Sequence, residues 1–185
     1  MEHSKSVFAV IAVSFIILFG LFLIPSNSNT KEVSAEDFLR IHIRANSNDI
    51  EDQTIKYKVK DEIVLALTPL LANAETKKES MEIVSKNINY LQSVANQVLK
   101  ENGFNYLSKA EIRNEYFPTR HYNSITLKSG EYDSLILELG EGKGDNWWCV
   151  AYPPLCFINY DSDNSSNIVY KSKLVEIIEK FFNKG

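Results

Sequence analysis

Two cysteines, two histidines and a run of alternating glycines are where chemistry would have to start in this chain. Cys149 and Cys156 stand with six residues between them, inside the segment Asn146-Trp147-Trp148-Cys149 to Pro153-Pro154-Leu155-Cys156. A thiolate at Cys149 with His121 as its base would make a cell-envelope hydrolase. Neither residue sits in a local Ser/His/Asp or Cys/His pattern, and a bond between the two cysteines would remove the thiolate. Zinc needs three or four ligands at recognisable spacing, which His42, His121 and the two cysteines do not supply. No metal or cofactor is expected. Gly140, Gly142 and Gly144 follow a predicted strand, but no helix opens after them and no Lys-Ser/Thr pair ends the run. Both features are needed to cradle phosphate, so a flexible turn is expected instead. Arg40, His42 and Arg44 alternate along another strand and could hold an anion. A solvated strand face is the stronger expectation. Nothing here assembles an enzyme.

The same aromatic segment has a second reading. Adjacent residues on a strand face opposite ways, so one of Trp147 and Trp148 enters the core while the other lies towards the surface. Each Trp taken alone is expected to be mainly buried. Pro153 and Pro154 cannot donate ladder hydrogen bonds, and they stiffen the turn. Beyond the cytoplasm the two thiols could close a small loop worth roughly 2–3 kcal/mol; left reduced, they would pack as small apolar residues. The segment as a whole is expected to face a partner, because Trp and Tyr dominate interface energetics.

These residues must be delivered and held by the rest of the chain. Its 185 residues carry a net charge of −4. With no basic block, nucleic acid is not an expected partner. Residues 7–24 contain no charge, Lys5 precedes them, and a polar stretch from Pro25 follows. One helix of about 20 apolar residues spans a bilayer, and a positive flank stays cytoplasmic. Residues 1–28 therefore read as a signal peptide or membrane anchor, with cleavage and retention both open. Residues 29–37 read as a linker and 38–185 as the exported domain. A structural protein binding cell wall is a further reading of such an anchored domain.

Within 38–185, Leu39, Ile41, Ile43 and Ala45 alternate with Arg40, His42, Arg44 and Asn46, which predicts a half-buried strand. Asn48 and Glu51 predict a capping box for a helix reaching about Leu71, and Thr76 and Glu79 predict one for a second helix closed by Gly103. Ile55, Val59 and Ile63 stripe the first, with Lys56 and Lys60 on other faces; Val84, Leu91 and Leu99 stripe the second. Strands are expected over 106–117 and 132–139, with a loop or irregular strand after Pro118, and Trp147 and Trp148 sit on a further strand ahead of the Pro153-Pro154 turn. A last helix carries Leu174, Val175, Ile177, Ile178 and Phe181. The order predicts an α+β fold: a mainly antiparallel sheet packed with two long antiparallel helices and a C-terminal helix.

Two blocks give the chain a family resemblance. The first runs from Leu39-Arg40-Ile41-His42-Ile43-Arg44-Ala45-Asn46-Ser47 through Glu51-Asp52-Gln53 to Lys58-Val59-Lys60-Asp61. The second holds Phe117-Pro118-Thr119-Arg120-His121-Tyr122, Gly130-Glu131-Tyr132, Gly140 to Cys149, and Pro153-Pro154-Leu155-Cys156-Phe157. Together they resemble the stage II sporulation protein R family. The chain departs from that pattern at two turns, with Tyr122-Asn123 in place of Tyr-Gly and Lys128-Ser129-Gly130 in place of Pro-Ala-Gly. The resemblance implies a protein made in the forespore and exported into the space between forespore and mother cell. It implies that the chain is not an enzyme. There it would activate a membrane-embedded aspartic protease that processes pro-sigma-E. On that reading Asn146, Trp147, Trp148, Pro153 and Pro154 shape the contact surface, supported by Arg120.

Overall fold

The computed structural model describes residues 34–122, 125–157 and 175–180. The apolar run at 7–24, the polar loop from Asp161, and Leu174 and Phe181 lie outside these residues. Ser34 caps a short 3-10 helix, Ala35–Asp37, by accepting from Glu36 N. Strand β1 follows at Leu39–Arg44, and helix α1 at Ile50–Leu71. Next come α2, Lys77–Lys86, and α3, Ile88–Glu101. The second half supplies β2 (Ser108–Phe117), β3 (Arg120–Tyr122), β4 (Ile125–Leu127), β5 (Gly130–Leu139) and β6 (Asn146–Tyr152). A helical segment at 175–180 contributes Ile177 to the core. Among the described residues no helix is long and apolar enough to cross a membrane.

Four strands form one sheet in the order β2-β5-β1-β6, and β3 pairs with β4 separately. β2 with β5 and β1 with β6 are antiparallel, as the sequence predicts. The central pairing, β1 with β5, is parallel, so the sheet is mixed. The helices between β1 and β2 carry the chain back across the sheet, which lets β5 enter beside β1 in the same direction.

The long second helix of the sequence reading is two helices. Asn87 interrupts it at φ −106° and ψ 11°, and its side-chain amide donates to Ile83 O at 2.8 Å. A side chain that occupies a backbone acceptor competes with the helical ladder. The ends follow the sequence. Thr76 Oγ1 accepts from Glu79 N at 3.1 Å, and Glu79 reaches back to Glu75 N. Gly103, at φ 82°, closes α3, with Phe104 N donating to Leu99 O and Gly103 N to Lys100 O. That is the paired bonding of a Schellman motif.

The main core lies between the helices and one face of the sheet. Leu39, Ile41 and Ile43 of β1, Leu135 and Leu137 of β5, and Ile55, Val59, Ile63, Leu91 and Leu99 are all buried in it. The second sheet face is not the solvated surface the alternation suggests. Phe38, Phe117, Leu127, Tyr132 and Val150 form a second buried cluster there. Arg40 and His42 are both fully buried.

Candidate interaction surface

Arg40 shows why that second face is closed. β1 is a central strand, so its polar side chains emerge mid-sheet, and β2, β3 and β6 bring aromatic rings over them. The Arg40 guanidinium carbon lies 4.3 Å from the Phe117 ring centroid, 4.9 Å from that of Tyr132 and 5.5 Å from that of Tyr122. Its Nε donates to Cys149 O at 3.2 Å and its Nη2 to Tyr122 Oη at 2.8 Å, while Nη1 has no hydrogen-bond partner among the described residues. Aromatic faces partly stand in for a carboxylate. Burial lowers the Arg40 pKa, which the tyrosines only partly offset.

His42 is enclosed by the same rings. It stacks on Trp148 with centroids 3.7 Å apart and meets Phe117 edge-on at 5.7 Å. Nδ1 lies 2.7 Å from Glu115 Oε2. Burial pulls the imidazole below its usual value, against the opposing pull of Glu115 and Asn146. For Glu115, burial acts upwards, but the hydrogen bond to His42 and the charges around it leave the carboxyl below its usual range. Glu115 also pairs with Arg44 and with Arg113, and both arginines bind Glu138. The expectation of a solvated Arg40-His42-Arg44 face is therefore overturned for Arg40 and His42. The Arg40 guanidinium is met by rings, and the His42 imidazole by Trp148 and a carboxylate from β2.

The glycine-rich turn is built against the end of β1. Gly144 N donates to Ala45 O, Lys143 N to Asn46 O, Glu141 N to Asn46 Oδ1 and Asp145 N to Asn48 Oδ1. A Cβ at Gly144 would sit 2.0 Å from Ser47 O, and one at Gly140 2.2 Å from Asn46 Oδ1. The glycines permit close approach of two loops, so the expected flexible turn is a pinned one. Asn48 is committed to this junction, and the N-cap of α1 is Asp49 without a side-chain cap bond, in place of the expected Asn48–Glu51 box. Asp52 closes the junction from below, accepting from Asn46, Ser47 and Tyr106. Burial acts to raise the Asp52 carboxyl, but these bonds hold it below its usual range. Lys56, placed on an outer face by its helical position, is instead buried and donates to Asp145 O at 3.0 Å.

The expected contact residues divide into three groups. Trp148 is half-buried, and the exposed Arg120 lays its guanidinium 5.5 Å from the Trp148 ring centroid. Trp147 is half-buried on the opposite, helix-facing side, with Lys60 Nζ 5.9 Å from its ring. Asn146 is exposed at the start of β6. Pro153 and Pro154 are buried, so they shape the turn and offer no surface. Cys149 and Cys156 form a disulfide that ties β6 to the turn after it. With Cys149 so bonded and His121 exposed on β3 beside Thr126, the Cys149/His121 pair is not a nucleophile and base. Among the described residues no group of three His, Cys, Asp or Glu could hold a metal ion. No local motif marks Tyr122, Phe117 and Glu115 as site residues, although each brings a side chain to β1. For Glu115 and Phe117 the available signal is the alternation along β2.

Fold and site together define a small α+β domain whose distinctive feature is a built aromatic and arginine surface over a buried, charged strand. Both sequence blocks meet in it, since β1 lies between β5 and β6. The chain belongs to the stage II sporulation protein R family, whose match spans residues 35–162. It is 27% identical over 136 residues to stage II sporulation protein R of Bacillus subtilis (strain 168). That alignment covers 74% of this chain and 61% of the relative, so the chain spans about three fifths of the relative's length. No solved structure is significantly similar to it.

Proposed function

We propose that this chain is an exported intercellular signal of sporulation. In this reading it passes from the forespore into the space between forespore and mother cell, either anchored by residues 7–24 or released. There it activates a membrane-embedded aspartic protease by direct contact, and that protease processes pro-sigma-E. Family membership supports the sporulation role. The observation that carries contact as the mode of action is the Arg120–Trp148 pair. A half-buried Trp is stacked from below by His42 and flanked by Phe117 at 4.7 Å, with an exposed arginine at its edge. A rigid ring of this kind loses little freedom on binding and suits recognition of one receptor state over another. The glycine turn and the buried Arg40 hold it in place and do no chemistry of their own.

The test is to co-express the chain with the candidate protease and pro-sigma-E in a non-sporulating host, with and without residues 1–28. The proposal expects conversion of the precursor only when the chain is present and exported. Conversion that proceeds equally well without the chain would end it.

A further inference from the structure

β2 is an edge strand of the sheet, and its outer rim is treated in two different ways along its length. Near its start the outward N–H groups are taken by side chains of α3. Ser108 N donates to Asn96 Oδ1 at 2.7 Å and Ala110 N to Gln92 Oε1 at 3.1 Å. The pairing with β5 runs without a bulge from Ser108 to Phe117, so period two aims the backbone of Ile112, Asn114 and Tyr116 outward as well. Among the described residues nothing bonds these three backbone N–H groups. Pro118, which has no donor, ends the open stretch.

An unpaired rim is a template for another strand. We propose that it takes the same rim of a second copy of this chain, antiparallel and centred on Asn114, giving a two-fold dimer with one continuous sheet. Self-complementarity argues for this occupant. In that register Ile112 faces the partner's Tyr116, Asn114 faces its counterpart, and Arg113 faces the partner's Glu115. By the two-fold symmetry these are two apolar pairs and two opposite-charge pairs, the combinations that stabilise facing strands. The register also uses every open residue and stops where Ala110 meets the partner's Pro118, positions already capped or without a donor. Tyr116 is 59% exposed in the single chain. Beside Ile112 lies a groove of about 520 Å³ lined by Met81, Ser85 and Lys78, which the partner's Tyr116 ring would enter. The symmetry is that of an isologous interface. It does not depend on the proposed receptor.

The test uses the full chain in mild detergent, carrying Asn114→Cys, treated with a short bismaleimide. Facing hydrogen-bonded residues lie about 5.5 Å apart, within reach of the reagent. In the same register Lys109→Cys would lie more than about 30 Å from its counterpart. The proposal expects a covalent dimer from Asn114→Cys, none from Lys109→Cys, and at least a tenfold drop in yield when Ile112→Pro is added. That proline removes no intrachain ladder bond, because the Ile112 N–H points outward. Tyr116→Asp, at an exposed ring, should lower the yield in the same way. A monomeric Asn114→Cys chain, equal cross-linking at 109, or a yield indifferent to both rim changes would overturn the proposal. Equal cross-linking at 109 is also what association through residues 7–24 would give.

Discussion

The two faces of β1 are buried alike and held by different forces. On the helix side Leu39, Ile41 and Ile43 pack against aliphatic side chains from α1 and α3, and their stability comes from removing apolar area from water. On the other side Arg40 and His42 are equally inaccessible, yet each carries a polar or charged head into the protein. Burial there costs desolvation, offset by rings over Arg40 and by a carboxylate against His42. The first face makes the fold. The second uses some of that stability to hold Trp148 and Arg120 in a fixed arrangement. A residue can therefore be fully buried in this domain and contribute little net stability.

Truncation on the apolar face should break the comparison most severely. Ile41→Ala should cost about 2–5 kcal/mol in urea unfolding, because it leaves a cavity inside the main cluster. Gly144→Ala should come next at about 1–3 kcal/mol, since the added methyl collides with Ser47 O and the loop junction must shift. Its circular dichroism spectrum should stay native while its unfolding midpoint falls. A tolerated alanine there would mean that the two loops are not interlocked as described.

Acid should distinguish the faces by sign. The folded state holds His42 below its ordinary value of 6.5, so the unfolded chain takes up the proton first. Stability is then fully present above about pH 6.5 and falls as pH drops from there through the folded value. Glu115, also held low, adds a second loss below its usual value of 4.5. His42→Gln should remove the first phase in urea titrations run from about pH 8 to about pH 3, and should leave the second, reduced by the loss of the His42 bond to Glu115. The smallest effect is expected at Arg40. Replacing this buried cation, which has no carboxylate partner among the described residues, by Met should be close to neutral or mildly stabilising, because desolvation of the charge is avoided. A loss as large as that of Ile41→Ala would show that the ring contacts are worth more than proposed here.

How far these faces could be read in advance follows from the same contrast. Apolar alternation from Leu39 to Ala45 and the stripes of α1 and α3 mark one face without ambiguity, because only a core explains them. Thr76 and Gly103 mark helix ends through local bonds and were equally legible. Arg40 and His42 misled, since a charged residue on an alternating strand ordinarily faces water. Their burial depends on Phe117, Tyr122 and Trp148, which are distant in sequence. The parallel pairing of β1 with β5 is a property of topology, and no local pattern announces it. The break at Asn87 rests on one side-chain hydrogen bond inside an otherwise continuous helical stripe. Of the expected contact surface, Arg120 and Trp148 do come together, whereas Pro153 and Pro154 turn inward, because stiff apolar turn residues serve packing as readily as display.

The most direct measurement concerns Arg120. Its guanidinium is exposed and touches the Trp148 ring from outside, so Arg120→Ala should leave the melting temperature nearly unchanged. Read alongside pro-sigma-E conversion in the reconstituted host, the same variant should lower activation at least tenfold, the loss of about 1.4 kcal/mol of contact. Full conversion by an Arg120→Ala chain of native stability would contradict the assignment of this face to receptor contact.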